Sequence, residues 1–423
     1  MSAATKPTRP PADPGTPPDA VALYLHVPFC QTKCHYCDFN SYRGLSSLIA
    51  PFVEALGREI RLWGEAAGHP PVSTVFFGGG TPSLLSGAQI RQLLNDCRRA
   101  FALAPDAEVS LEANPGTVDT QHLATYREAG VNRLSFGVQS LHDDELTWLG
   151  RRHSAEEARR AYRLGRAAGF DNINLDFILG LPGQPLARWR ATLEGALELA
   201  PEHLSCYALT VEEETPLGKA VGLGRVSVPD SDAQADMYLL AEELLAKADY
   251  EHYELSNWAR AGRRCRHNLV YWRNGPYLGL GPGAHSHYRG WRFAVLKSPR
   301  QYLERLSSAV ILSEAKNPLL VREKGRPPVS WDPRSVSPLL SEAEPISAAR
   351  ELSETIIMGL RLSEGVSRAA FRRRAGRDIA EAYGLQIKEL EGLGLVELTP
   401  DALRLTPRGR LLGNEAFVRF LPD

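Results

Sequence analysis

The sequence predicts an α/β protein organised on a parallel sheet, and three observations carry that prediction. Between residues 21 and 248, short apolar runs alternate with longer stretches of helical period, six of each. Strand–helix units in series build parallel sheets, curled or open, with the helices outside. The apolar runs also end in glycine-rich or polar interruptions, and ligands of such sheets bind at the carboxyl ends of the strands. After residue 250 the rhythm changes, so a second architecture begins there.

In chain order, the first strand spans 21–27 and delivers its end into a cysteine-bearing loop, and a helix follows at 48–63. The second strand, 72–77, ends in Gly78-Gly79-Gly80-Thr81-Pro82. The next helix, 87–101, puts Ile90, Leu93, Leu94 and Cys97 on one face. The third strand, 108–112, ends in Ala113-Asn114-Pro115-Gly116 and leads to a helix at 120–129. The fourth strand is 133–138, with its helix at 156–168. The fifth is 172–179, closed by Gly180-Leu181-Pro182-Gly183 and followed by a helix at 185–199. The sixth strand, 203–209, precedes a helix at 232–248. Beyond these, 250–255 and 267–272 read as extra strands, and 279–286 as a tight glycine-rich loop. The remainder divides into a proline-rich flexible insertion, 307–348, and an accessory domain, 349–423. The latter is mainly helical and winged-helix-like, with helices at 352–362 and 379–393, a hairpin at 395–405 and a last segment at 407–420. Residues 1–20 are polar and proline-rich and read as a disordered leader. The sheet domain with its extension thus covers 21–306.

Composition sets bounds. A chain of 423 residues holds about two domains at ~100–200 residues each. Its net charge of −1 supplies no strong field for nucleic acid or anionic membrane. The basic run Arg372-Arg373-Arg374 reads as a solvated helix face rather than a phosphate reader. No apolar run approaches the ~20 residues that span a bilayer. Thiolates persist for metal binding in a reducing compartment, so the expected location is the cytoplasm.

The chemistry concentrates in Cys30-Gln31-Thr32-Lys33-Cys34-His35-Tyr36-Cys37. A complete [4Fe–4S] cluster normally takes four thiolates. Three close thiolates with no fourth nearby suggest a cluster with one iron left open to a ligand. Zinc is the rival, but no second Cys-x2-Cys or His-x3-His pair follows. Cys97, Cys206 and Cys265 stand alone and read as buried, unreactive residues. Glu112, Gln139, Arg151 and Asp176 lie at or just beyond the ends of the third, fourth, fourth and fifth strands. A carboxylate inside an apolar run, as Asp176 is, requires a structural hydrogen bond or a ligand.

The spacing Cys-x3-Cys-x2-Cys with Tyr36 before the last cysteine resembles the signature of the radical S-adenosylmethionine (SAM) superfamily. The stretch from Tyr24 to Ser41 resembles the branch that holds oxygen-independent coproporphyrinogen III oxidase and the HemW-type haem chaperones. The resemblance implies a partial (β/α)6 barrel with the cluster loop after its first strand. It implies Cys30, Cys34 and Cys37 as ligands of a [4Fe–4S] cluster whose open iron is chelated by SAM. Gly79, Gly80 and Thr81 are then nearest the SAM amino group together with Glu112, Asp176 and Gln139 face the ribose, Arg151 the carboxylate, and Tyr36 the adenine. Tyr24 and Phe39, which bound the motif, complete the set of cofactor-contact candidates. For Tyr36 the plain alternative is loop packing.

His267-Asn268-x-x-Tyr271-Trp272 resembles a motif of the same branch. Histidine ligates haem iron, so His267 is the haem candidate, with a satisfied core histidine as the alternative. His285 and His287 are lesser candidates. The oxidase carries a fourth cysteine two residues after the third, and here that position is Phe39. The departure favours a chaperone that carries haem as cargo to haem-requiring respiratory clients. The alternative is oxidative decarboxylation of coproporphyrinogen III to protoporphyrinogen IX, so enzyme status stays open. An electron donor for the cluster and a homodimer belong to the same expectation.

Overall fold

The computed structural model describes residues 20–313 and 331–422. The leader therefore lies, Ala20 apart, outside the described residues. β1 (Val21–Val27) runs into the short β2 (Phe29–Cys30), which pairs in parallel with β3 (Tyr42–Arg43) across the cysteine loop. The repeating units continue as α1 (Ile49–Ala67), β4 (Pro71–Gly79), α2 (Gly87–Ala100), β5 (Ala102–Ala113) and α3 (Thr120–Ala129). Next come β6 (Arg133–Gln139), α4 (Asp143–Trp148), α5 (Ala155–Ala167), β7 (Ile173–Leu179) and α6 (Leu186–Leu199). β8 (His203–Ala208), α7 (Pro216–Gly222) and α8 (Ser231–Lys247) close the series. An extension follows: β9 (Glu251–Glu254), β10 (Asn257–Ala259), α9 (Arg266–Trp272), β11 (Tyr277–Leu280), β12 (His285–Tyr288), β13 (Trp291–Val295), α10 (Pro299–Ser313) and β14 (Leu340–Pro345).

The strands form one sheet of twelve, ordered β14-β13-β12-β11-β1-β4-β5-β6-β7-β8-β10-β9. β1 to β8 in that order are parallel neighbours, β11 adds a further parallel strand beside β1, and the two ends do not join. This is the expected partial barrel. Alternation along β1 sends Val21, Leu23, Leu25 and Val27 outward into the core that Phe52, Leu56, Ile60 and Trp63 of α1 complete. Tyr24 and His26 take the opposite, inner face. Each helix starts where local chemistry starts it. Ser86 with Gln89, and Ser154 with Glu157, make reciprocal capping boxes on α2 and α5.

Four expectations need correction. Residues 267–272 are not a strand but helix α9. Its start is held by the Glu108 carboxylate, which accepts from the backbone N–H groups of Arg266 and His267 at 3.0 Å each. A helix start supported from 158 positions away along the chain leaves no local signature in the apolar run that follows it. The loop read at 279–286 is partly strand, since β11 ends at Leu280 and β12 starts at His285. The stretch 307–348 is not wholly irregular: α10 reaches Ser313, and β14 pairs with β13 from Trp291↔Pro345 to Val295↔Leu340. Residues 314–330 of that stretch lie outside the described residues. Arg374, expected as solvated, has a side chain only 10% exposed, ion-paired to Glu351 and donating to the Asn274 carbonyl.

The last part of the chain comprises α11 (Ala348–Gly359), β15 (Val366–Ser367), α12 (Arg368–Ala375), α13 (Ile379–Gly392), β16 (Val396–Leu398), β17 (Ala402–Leu405), α14 (Pro407–Leu411) and α15 (Gly413–Val418). Its strands order as β15-β17-β16, and a separate apolar cluster around Ile356, Phe371, Ile387 and Leu390 forms its core. Arg410 of α14 pairs with Glu242 of α8, which also receives His252 of β9. No helix is long and apolar enough to cross a membrane among the described residues.

Candidate cofactor site at the mouth of the barrel

The cysteine loop is pinned on three sides. Backbone donors Gly80 N–H and Thr81 N–H bond the carbonyls of Val27 and Phe29 at 2.8 Å each. A Cβ on Gly80 would stand 2.6 Å from the Phe29 carbonyl oxygen, so only glycine allows this approach. Lys33 Nζ donates to the carbonyls of Phe39 and Ser41, closing the loop on itself. On the far side, Leu217 N–H at the start of α7 bonds the His35 carbonyl.

All three thiols of this loop are free and half-buried. Thr81 Oγ1 donates to Cys30 Sγ at 3.4 Å, and Arg151 Nη1 points at Cys34 Sγ at 3.7 Å. Cys34, Thr81 and Arg151 border one cleft of about 210 Å³ with Asn114, Arg152 and Glu157. Arg151 Nη2 donates to the Gly137 carbonyl, while its buried Nε has no hydrogen-bond partner. The side-chain amide of Gln139 reaches the same Gly137: a Cβ there would meet Gln139 Nε2 at 2.9 Å and Arg151 Nη2 at 3.3 Å. Gln139 itself holds a left-handed φ of 70°, which turns the chain out of β6.

Deeper in the barrel stand two carboxyls, Glu112 on β5 and Asp176 on β7. Glu112 Oε2 accepts from Gly79 N–H at 3.1 Å, and no salt bridge to it occurs among the described residues. Burial, reinforced by the charge of Asp176, pushes its carboxyl up to about 8. Asp176 accepts from Ser135 Oγ at 3.0 Å and Asn174 Nδ2 at 2.8 Å, and burial raises it too. Two buried carboxyls without a bonded cation suit a positively charged guest. Three free thiols suit a cluster that needs soft ligands. The donor set therefore fits the cluster and a cationic, carboxylate-bearing cofactor beside it.

Asn174 was not anticipated, nor were His203 and Ser135. His203 Nδ1 donates to Asn174 Oδ1 at 2.6 Å and accepts at Nε2 from Tyr253 OH at 2.8 Å. This chain holds Asn174, and through it Asp176, from the barrel floor. The only available sequence signal is polarity in apolar strands, which Asn174 and Ser135 share with Asp176. Asn40 lies in the stretch that carries the resemblance but was not singled out, since nothing beside it in the sequence points to its distant partners. Its side chain donates to the carbonyls of Pro282 and Lys297, and its carbonyl accepts from His26 Nε2. It bolts the cysteine loop to the β11–β12 and β13–α10 connections.

Tyr36 packs into a small apolar cluster with Leu149, Ile178, Leu181, Leu209 and Leu217. Tyr24 OH donates to His26 Nδ1 at 3.0 Å and its ring stacks on Phe76. Phe39 is 63% exposed. His267 is 1% exposed, with Nδ1 bonded to Thr74 Oγ1 and Nε2 to Tyr271 OH, both at 2.8 Å. Burial pushes its imidazole down to about 3. Both ring nitrogens are engaged, so in this structure His267 is a neutral strut between α9 and the barrel floor, as in the satisfied core histidine that the sequence left as the alternative.

The family model described as the radical SAM superfamily matches residues 24–196, and that of the HemN C-terminal domain matches 346–412. The heme chaperone HemW of Bacillus subtilis is 35% identical over 403 residues, an alignment spanning 95% of this chain and 99% of that protein. The chain belongs to the HemW family of radical SAM proteins. The HemW protein of Mycobacterium tuberculosis is 38% identical over 411 residues, 96% of this chain and 95% of its own. Among solved structures, coproporphyrinogen III oxidase (HemN) from Escherichia coli superposes with a TM-score of 0.77 at 22% identity, covering 95% of this chain and 90% of that one. HemN and this HemW-family chain thus share a fold through the barrel and the terminal domain.

Proposed function

We propose that this protein is a haem chaperone that holds a [4Fe–4S] cluster on Cys30, Cys34 and Cys37 and binds SAM beside it. The observation that carries the reading is the full-length likeness to HemW heme chaperones, which takes in the barrel, the thiol loop and the terminal domain together. When bound, the cluster supplies an open iron and a low-potential electron. The residues around it do the rest. Glu112 and Asp176, neither in a salt bridge among the described residues, accept hydrogen bonds from the cationic and hydroxyl groups of the ligand. The guanidinium of Arg151 offers its unpaired Nε to a carboxylate. Gly79, Gly80 and Gln139 shape the backbone around these groups, and Tyr24 and Tyr36 supply aromatic walls. Haem-requiring respiratory proteins are the expected recipients, an electron donor serves the cluster, and a reducing cytoplasm keeps the thiols competent.

The test is anaerobic reconstitution followed by two assays. Iron and sulfide in stoichiometric amounts, haem bound tightly, and transfer of that haem to an apo-cytochrome support the reading. Production of protoporphyrinogen from coproporphyrinogen III would overturn it in favour of the decarboxylase. Phe39, exposed where the decarboxylase has its extra cysteine, favours the chaperone.

A further inference from the structure

Tyr253, His203, Asn174 and Ser135, which the proposed function leaves unused, form one directed line of hydrogen bonds across the barrel floor. Alternation along β8 turns His203 and Ser205 inward, while Leu204 and Cys206 join the outer core. The strand register sets Ser135 and His203 on either side of Asn174, and Gly137 and Ser205 on either side of Asp176. Asp176 therefore stands one layer nearer the mouth than the row of Ser135, Asn174 and His203.

A backbone amide fixes the direction of every bond in this line. Cys265 N–H can only donate, and it donates to Tyr253 OH at 3.3 Å. The hydroxyl of Tyr253 then donates to His203 Nε2 at 2.8 Å, which leaves the imidazole its proton on Nδ1. Burial and the charge of Arg133 hold this imidazole well below its ordinary range, so it is neutral and carries that one proton. His203 Nδ1 donates to Asn174 Oδ1 at 2.6 Å, and Ser205 Oγ donates to the same oxygen at 3.1 Å. With its oxygen taken, Asn174 turns its amide protons the other way, to Ser135 Oγ at 2.7 Å and Asp176 Oδ1 at 2.8 Å. Ser135 Oγ in turn donates to Asp176 Oδ2 at 3.0 Å. The line thus starts at a group that only donates and ends with one donor on each oxygen of a carboxylate. Reversing the Asn174 amide would set its oxygen against Asp176 and its NH2 against the Nδ1–H of His203, so the imidazole tautomer decides which way Asn174 faces. Both donors reach Asp176 from the layer below, and its remaining acceptor capacity lies on the side of the mouth.

We propose that His203 is a positioning residue for the cofactor site: through Asn174 it holds both oxygens of Asp176 as acceptors for a vicinal pair of hydroxyls, those of a ribose. A residue that orients a binding group is worth nearly as much to affinity as the group itself. This role rests on SAM binding at the barrel mouth, and the experiment tells the two apart.

SAM and an analogue lacking its 2′- and 3′-hydroxyls are titrated calorimetrically into the anaerobically reconstituted full-length protein. Wild type should bind SAM more tightly than the analogue. In H203F the affinity for SAM should fall about tenfold while that for the analogue stays within about twofold. H203N restores a donor where Nδ1 stood and should keep most of the SAM affinity. H203Q places its amide where Nε2 stood and should behave as H203F. Y253F frees the imidazole tautomer with little change of shape; it should also weaken SAM and spare the analogue, and it decides the matter if the His203 variants do not fold. Wild-type SAM affinity in both H203F and Y253F would overturn the role. So would an equal loss for SAM and the analogue, or H203N falling as far as H203Q. If wild type binds neither compound, the SAM reading itself fails and takes the role with it.

Discussion

Glu112 illustrates what single residues contribute. Its carboxyl, pushed up to about 8 by burial and by Asp176, keeps its proton in the folded chain where the unfolded chain, near 4.3, has lost it. Between those values the native state binds more protons than the unfolded state, so stability falls as pH rises. E112Q should flatten this dependence: the thermal midpoint of the protein without SAM should drop less between about pH 5 and pH 8 than in wild type. An unchanged slope in E112Q would show that Glu112 is ionised when unliganded. At the thiols the expectation is simpler. C34S should lose essentially all cluster iron on reconstitution, because a hydroxyl is a poor ligand for a soft iron–sulfur centre. Full iron content in C34S would remove Cys34 from the ligand set. These residues were legible in the sequence because their types violate their surroundings: thiols in a polar loop, carboxyls in apolar strands. Asn40 and His203 violate nothing locally. Their importance arises from partners 242 and 29 positions away.

Among elements, the β4 turn and the cysteine loop depend on each other. Gly80 was expected to let a ligand come close, yet in the structure it also lets two stretches of backbone touch. G80A drives a methyl group against the Val27 and Phe29 carbonyls and should displace the loop. Iron bound per chain should fall severalfold, while circular dichroism of the barrel helices is retained. Wild-type loading in G80A would show that the loop absorbs the shift. Element reading succeeded where local signals were complete. β1 and α3 fall at the residues expected, α3 because Asp119 caps its start and Gly130, at φ 110°, ends it. It failed at α9, whose cap is the distant Glu108, and at the start of β5. There Ala102 and Leu103 pair with Pro71 and Val72 ahead of a register shift, and Pro105 within the run masks the strand.

For the whole molecule, the terminal domain is seated by buried charge as well as by the apolar contact of Leu362 with Tyr253, Ala259 and Leu269. Arg374 reaches across from α12 to the Asn274 carbonyl, beside α9, and pairs with Glu351. R374A leaves that acid short of a cation and should cost about 1.5–3 kcal/mol in urea unfolding, the range for hydrogen bonds to charged groups. A loss below about 0.5 kcal/mol would mean that solvent takes over the role of the guanidinium. The sequence showed that a second architecture begins after residue 250. It did not show that β11 to β14 would join the same sheet, because the parallel pairing of β11 with β1 and the antiparallel additions beyond it are set by tertiary fit.

That sheet is a strip, not a hoop. A hoop of strands widens only if every ladder stretches together, whereas a strip with two loose margins can part along one seam and keep the remaining bonds. A wide, flat guest therefore need not thread a closed ring of strands to reach the sulfur-bearing loop.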